Sequence, residues 1–481
     1  MPRGERARRA ATLAERRRGH QVDLFDGLAG ELVVDNFAGG GGASTGIEAA
    51  LGRPVDIAIN HWPEAIAVHT ANHPATQHFV EDVFHVDPRE ICAGRPVGLA
   101  WFSPDCTHHS KAKGGKPRSK KIRGLAWVAV RWAREVRPRV IVIENVEEFL
   151  AWGPLDRDGH PIKGRAGETF RAWRRKLESY GYVVDHRLLV AADFGAPTTR
   201  RRLFVVARRD GAPISWPVPT HGPGRARPWR IAAEVIDWSL PTPSIFTRSR
   251  PLAPATLRRI AEGVRRYVFE AARPFVVKFY GTCTATDIGA PLHTVTAGGG
   301  KFALAVPTLI QTGYGEREGQ TPRVPGLDKP LGTVVAGGAK HALVAAFLTK
   351  HYGGVVGHGL ERPIGTVTTQ DHHALTTAAL APVADCRADV GAFLRAHGIE
   401  PRPIRIGRER YLIGDIGSRM LAPRELARAQ GFPEDYVIER GAGGSPLTKT
   451  DQIALVGNSV CPPLAEAIVR ANVRHPAEAA A

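Results

Sequence analysis

Four short, nearly continuous apolar runs, at residues 32–34, 55–59, 97–102 and 140–143, each end on polar or glycine-rich residues, with helical segments between several of them. A strand exposed on one face alternates polar and apolar residues. Runs that are apolar at almost every position fit strands covered on both faces, as in a parallel sheet flanked by helices. The expected fold is therefore a doubly wound α/β domain. Such sheets bind ligands beyond the carboxyl ends of their strands. The positions to expect at a cleft are Phe37–Gly42, His61-Trp62, Glu81-Asp82, Ser103–Cys106 and Glu144-Asn145.

A chain of 481 residues is long enough for two or three domains. It carries 65 Lys and Arg against 47 Asp and Glu, a net charge of +18, yet only 23% of its residues are charged. The excess reflects imbalance and excludes a disordered polyelectrolyte. It points to a polyanionic partner, nucleic acid first and an anionic membrane surface second. No run approaches ~18 apolar residues, and the Arg-rich first twenty residues lack the apolar core of a secretory signal, so a cytoplasmic chain outside the membrane is expected. The five cysteines, Cys92, Cys106, Cys283, Cys386 and Cys461, are odd in number and widely spaced. They form neither a zinc pattern nor a disulfide framework, so any that matters acts as a single thiol.

The chain divides into four parts. Residues 1–30 read as a basic arm or a solvated tail, and 31–209 as the α/β domain. Prolines cluster from Pro213 to Pro243, opening a mostly β segment over 210–416. Within it a helix is expected from about Pro254 to Ala272, with Leu257, Ile260, Val264 and Val268 as its apolar stripe and Arg258, Arg259, Arg265 and Arg266 beside it. The motif that begins at Pro291 then recurs at Pro330 and, degraded, at Pro363, each copy preceded by a Tyr-bearing element. Residues 417–481 return to helical signals and complete the α/β domain.

Several positions carry chemistry. The turn Phe37–Gly42, after the first strand, suits a cofactor that meets backbone N–H groups at a helix N-terminus; a tight structural turn is the alternative. Cys106 follows a buried strand in a proline-containing turn and precedes Ser110, Lys111, Lys113 and Lys116, a field that favours a thiolate and attracts phosphate. The His108-His109 pair has no third Cys or His at a suitable local spacing, so no metal is expected. Glu144 closes a buried strand as a functional acid or a helix cap. Arg200 and Arg202 alternate along an extended segment and would share one face, gripping a phosphate and a base carbonyl or simply meeting solvent.

In order, these motifs resemble those of the DNA cytosine-5 methyltransferases. Phe37-Ala38-Gly39-Gly40-Gly41 is similar to their first motif, Pro104-Asp105-Cys106 to their nucleophile motif, Glu144-Asn145-Val146 to their Glu-Asn-Val motif, and Thr198 to Arg202 to their Gln-x-Arg-x-Arg motif. Arg424-Glu425 through Gln430-Gly431-Phe432-Pro433 resembles the element that supports the recognition domain, and Gly457-Asn458-Ser459-Val460 the closing motif. The chain departs from the pattern at Asp105, Thr107, Thr198 and His61, none of which the covalent chemistry requires.

The resemblance implies an S-adenosylmethionine-dependent fold with 210–416 as target recognition domain. It implies methyl transfer to carbon 5 of a cytosine flipped out of duplex DNA. Cys106 would attack carbon 6, Glu144 would hold ring nitrogen 3, Asn145 would position the loop, and Arg200 and Arg202 would bind the carbonyl oxygen and phosphate. Phe37, Gly39, Gly41, Trp62, Asp82, Pro104 and Asn458 would shape the cofactor cleft. A monomer on double-stranded DNA, associated with the nucleoid, with a cognate restriction endonuclease as a further partner, completes the expectation. Transfer RNA methylation and a decayed DNA-binding module are the alternatives.

Overall fold

The computed structural model describes residues 30–105, 109, 119–237, 239–269, 275–278, 285–287, 302–305, 310–311, 343–350, 357–358, 363–364, 373–382, 388–406 and 409–473. The basic arm, Cys106, Ser110, Lys111, Lys113, Lys116 and most of the repeated motifs lie outside the described residues.

The first half builds one sheet. β1 (Leu32–Asn36) leads into α1 (Gly42–Leu51), β2 (Ile57–Asn60), α2 (Pro63–Asn72) and β3 (Gln77–Val80). β4 (Val97–Phe102), α3 (Trp127–Glu135), β5 (Val140–Asn145), α4 (Glu168–Glu178), β6 (Val183–Val190) and β7 (Arg201–Arg208) follow. The strand order is β3-β2-β1-β4-β5-β7-β6. β1 to β5 are mutually parallel, and β7 runs antiparallel to both β5 and β6. The order reverses between β1 and β4, which is where such sheets open a ligand crevice.

Alternate residues of each central strand enter opposite cores. Val34, Ile57, Phe102 and Ile143 pack on one face with Trp132, Phe149 and Trp173. Val33, Leu99, Trp101, Val142 and Phe204 pack on the other with Ile47, Ile468 and Val469. Both faces being covered explains why the runs are continuous rather than alternating. Each fully buried aliphatic or aromatic side chain contributes roughly 1.5–3 kcal/mol.

The chain returns to this sheet through α5 (Pro423–Gln430), α6 (Lys449–Asn458) and α7 (Pro462–Val473). α7 packs on α1 at Gly46, where a Cβ would lie 2.3 Å from the Pro462 carbonyl oxygen. Close approach of the two backbones therefore depends on that glycine. The stretch Lys449–Val473 is long and apolar enough to cross a membrane by composition, but it is the pair α6 and α7 with most of its surface buried inside the fold.

Between the two parts, the described strands are mostly antiparallel. Six of them form one sheet in which His373–Pro382 lies between Leu343–Lys350 and Glu409–Met420. A separate three-stranded sheet has Phe275–Lys278 at its centre. The helix expected from 254 to 272 is α-helical over Pro254–Val264, and a π-helical turn covers Arg265–Phe269. Its stripe is as expected at Ile260, Val264 and Val268, but Arg259, read as part of the basic flank, is buried.

The two ends of the inserted segment meet on one carboxylate. Glu425, fully buried on α5, receives two hydrogen bonds from Arg419 at 2.8 Å each, one from the Asp237 N–H at 2.7 Å and one from the Ala422 N–H at 2.6 Å. Arg419 also donates to the Asp237 carbonyl at 2.9 Å. The third repeat docks here too: Ile364, fully buried, exchanges backbone hydrogen bonds with Pro197 and Thr199 immediately before β7.

Candidate active site

Two groups of the expected residues gather at the carboxyl end of the sheet. The first surrounds Glu144, at the end of β5. Arg202 on β7 approaches its carboxylate at 3.1 Å, and both side chains are almost wholly buried. The antiparallel register places Glu144 opposite Phe204 and Asn145 opposite Leu203, which brings Arg202 to the same end. Asn145 donates to the Pro104 carbonyl at 3.1 Å, tying the end of β5 to the turn after β4. Pro104 is buried while Asp105 is exposed.

Arg200 and Arg202, expected to share one role, reach different groups. Arg200 is buried and donates to the Gly457 carbonyl at 3.1 Å, linking the Arg motif to the end of α6. Arg202 pairs with Glu144. Both remain close enough to lower the pKa of the Cys461 thiol, although burial dominates and pushes it up to about 11. Cys461 is therefore a protonated thiol, donating to Gln430 Oε1 at 2.9 Å. His109, the described member of the histidine pair, packs edge-on against Phe149 and Trp152 at 5.0 and 5.5 Å.

The second group is the glycine turn. Phe37 has φ 63°, and Gly39 and Gly41 have φ 54° and 92°. Only glycine adopts such angles without strain, and a non-glycine residue there marks a backbone held by its surroundings. Gly41 caps the start of α1 with no side-chain hydrogen bond to the first turn, while the Ser44 N–H bonds the Asp35 carboxylate. The closing motif covers this turn: a Cβ on Gly42 would lie 1.9 Å from Ser459 Oγ and 2.3 Å from the Val460 carbonyl oxygen. Asn458, at the end of α6, is exposed beside them.

Trp62 follows β2 and starts α2, its N–H bonded to Asn60 Oδ1 at 2.9 Å. Asp82 follows β3 and accepts from the Phe84 N–H at 3.1 Å. The glycines form a cradle, and Asn36 Oδ1, buried at the end of β1, has no hydrogen-bond partner. A helix start without a side-chain cap, a glycine-rich turn and an unpartnered buried acceptor fit a nucleoside bearing a carboxylate and an ammonium group.

Behind the turn lies a polar cluster that local sequence patterns do not reveal. Asp35 is fully buried, accepts from Ser44 Oγ at 2.8 Å, and is pushed up to about 7 by burial. Ser44 contacts His69 Nε2 at 3.0 Å, and His69 Nδ1 contacts His78 Nε2 at 2.8 Å. His73 joins Glu48 to Tyr436. The spacing of His69 and His73 by four residues on a helix is the one sequence signal for this cluster.

A family model described as C-5 cytosine-specific DNA methylase matches residues 32–240 and 395–474, more than half of the chain. The chain belongs to this family. Its two matched segments are the sheet with α1 to α4 and the returning helices, so the methylase domain is discontinuous and encloses the inserted β segment.

Among curated relatives, this methylase is 29% identical over 197 residues to the Type II methyltransferase M.AquIA of Picosynechococcus sp., covering 40% of this chain and 77% of that one. It is 28% identical over 198 residues to the Type II methyltransferase M.AgeI of Thalassovita gelatinovora, covering 40% and 43%. To rat DNA (cytosine-5)-methyltransferase 1 it is 22% identical over 488 residues, covering 90% of this chain and 28% of that one. The matched stretches thus span most of M.AquIA but less than half of the other two. The crystal structure of S. pombe Dnmt2 methyltransferase aligns with a TM-score of 0.45 at 14% identity, covering 91% of this chain and 97% of that one.

Proposed function

We propose that this DNA cytosine-5 methyltransferase acts through a covalent Cys106 adduct, with Glu144 and Arg202 as the pair that activates the base. The Glu144–Arg202 contact at the end of β5 carries this reading. Carbon 5 of cytosine is a poor nucleophile. Addition of the Cys106 thiolate to carbon 6 pushes the ring electrons toward carbon 5, and covalent catalysis divides one hard step into easier ones.

Glu144 hydrogen-bonds ring nitrogen 3 and the exocyclic amine, supplying a proton as the thiolate adds. Arg202 holds both the carboxylate and the ring carbonyl oxygen, where negative charge grows. Asn145 fixes the turn that carries Pro104. Loss of the carbon 5 proton then regenerates the double bond and expels Cys106 as thiolate. Arg200 supports this geometry by holding the Gly457 carbonyl.

Phe37, Gly39, Gly41, Trp62, Asp82, Pro104 and Asn458 would hold S-adenosylmethionine, which supplies the methyl group when bound. Ser110, Lys111, Lys113 and Lys116 would meet the DNA backbone, and the segment 210–416 would read the target between the catalytic parts 31–209 and 417–481. The reading extends to a monomer acting on double-stranded DNA at the nucleoid, opposite a cognate endonuclease as in a restriction–modification pair.

DNA containing 5-fluorocytosine cannot lose a carbon 5 proton, so it should trap the native chain in a complex that survives denaturation. Cys106→Ala should bind DNA and form no such complex. A trapped complex with the Ala variant would remove Cys106 from the mechanism. Bisulfite sequencing of DNA from cells expressing the chain reports the target sequence.

A further inference from the structure

Hydrogen-bond accounting behind the glycine turn bears on the charge of one histidine. Tyr436 donates its hydroxyl proton to the Gly40 carbonyl at 2.5 Å, and Thr45 donates to the Gly41 carbonyl at 2.7 Å. A carbonyl only accepts, so both hydroxyl protons are committed to the turn. The same two oxygens face His73 Nε2 at 3.2 and 3.4 Å and can offer it lone pairs only. On the other side of the ring, Nδ1 faces Glu48 Oε2 at 2.9 Å, again an acceptor. With the hydroxyl protons placed on the turn in this way, both ring nitrogens carry a proton, the imidazolium form.

We propose that His73 is a positioning residue for the cofactor cleft: as an imidazolium held by Glu48, it orients the Tyr436 and Thr45 hydroxyls that fix the Gly40 and Gly41 carbonyls. The proposal rests on the reading of this turn as the cofactor cleft. The fit is close, since a Cβ on Gly41 would lie 2.2 Å from the Tyr436 hydroxyl and 2.8 Å from His73 Nε2. It also ties a residue of the returning segment to the first turn of the fold.

The charged and titratable groups around His73 come from five elements. Glu48 comes from α1, Tyr436 from the segment after α5, His69 from α2, His78 from β3 and Asp35 from β1. His69 lies 4.5 Å from His73 between ring centroids. Burial first, and then the His73 charge, hold His69 well below the ordinary imidazole range, so it stays neutral beside it. His78 is lowered by the same two causes. Burial holds the Tyr436 phenol above its ordinary range, which keeps it a donor.

Two measurements on the full chain test this. Long-range nitrogen–proton NMR on histidine-labelled protein, with His73→Gln for assignment, should show both His73 nitrogens protonated at neutral pH. A neutral ring overturns the proposal. Titration calorimetry at neutral pH should show native binding of S-adenosylmethionine and of S-adenosylhomocysteine.

His73→Gln and Tyr436→Phe should each bind about tenfold more weakly, the worth of one charge-assisted hydrogen bond. The loss should enter the cofactor KM rather than kcat. Native-like affinity in His73→Gln, at an unchanged melting temperature, overturns the positioning role. If the native chain binds neither nucleoside, the cofactor reading fails, while the NMR measurement still decides the charge on His73.

Discussion

Glu144 and Arg202 meet at 3.1 Å across the antiparallel β5–β7 pair, each almost wholly buried. A buried pair of this kind tolerates loss of charge better than loss of a partner, because an unpaired buried charge costs about 3–5 kcal/mol. Glu144→Gln keeps the shape and one acceptor for Arg202. It should lower kcat by about a hundredfold to a thousandfold, with a smaller loss of melting temperature than Glu144→Ala, which keeps no acceptor for Arg202. Arg202→Met should reduce both activity and stability. Steady-state kinetics with thermal unfolding separates the two, and near-native turnover by Glu144→Gln would remove this carboxyl from the chemistry.

Glu425 collects four hydrogen bonds from Arg419, Asp237 and Ala422, closing the inserted segment at its base. Glu425→Ala leaves Arg419 without its carboxylate and two N–H groups without an acceptor. A loss of about 3–5 kcal/mol in unfolding free energy is expected by denaturant titration. Glu425→Gln, retaining the acceptor oxygen, should lose less; equal losses would show that the charge alone matters.

Gly46 separates α1 from α7, with the Pro462 carbonyl 2.3 Å from the place of a Cβ. Gly46→Ala must push the two helices apart. Overpacking of this kind typically costs about 1–3 kcal/mol. Because α7 carries the closing segment over the glycine turn, cofactor affinity should fall with stability. Calorimetry showing unchanged affinity in a destabilised variant would uncouple α7 from the turn.

Asp35 is a buried acid raised from 3.8 to about 7, with desolvation as the main cause. Its contribution to stability is full below about pH 4. It is lost as the pH rises toward about 7, since the unfolded chain ionises freely while the folded one does not. Asp35→Asn keeps an acceptor for Ser44 and removes the ionisation. The variant should show a flatter dependence of unfolding free energy between pH 4 and 7 and greater relative stability at alkaline pH. A parallel pH profile in both proteins would show that Asp35 does not titrate there.

The apolar runs determined the parallel sheet, and the residues after each run determined the cleft. Phe37–Gly41, Pro104, Glu144 and Asn145 all lie where strand ends were legible, because burial on both faces leaves an unbroken apolar signature. The return of the chain through Pro423–Gln430 and Gly457–Val460 was legible as ordered motifs. The tertiary structure alone decided which distant segment covers each turn. Tyr436 meets Gly40, Glu425 meets Asp237, Arg200 holds Gly457, and Cys461 sits near Glu144. Periodicity records that a residue is buried, not what buries it. A buried polar atom finds its partner through folding geometry, so the contacts of His73 with Glu48 and Tyr436 and the separate partners of Arg200 and Arg202 are properties of the packed molecule.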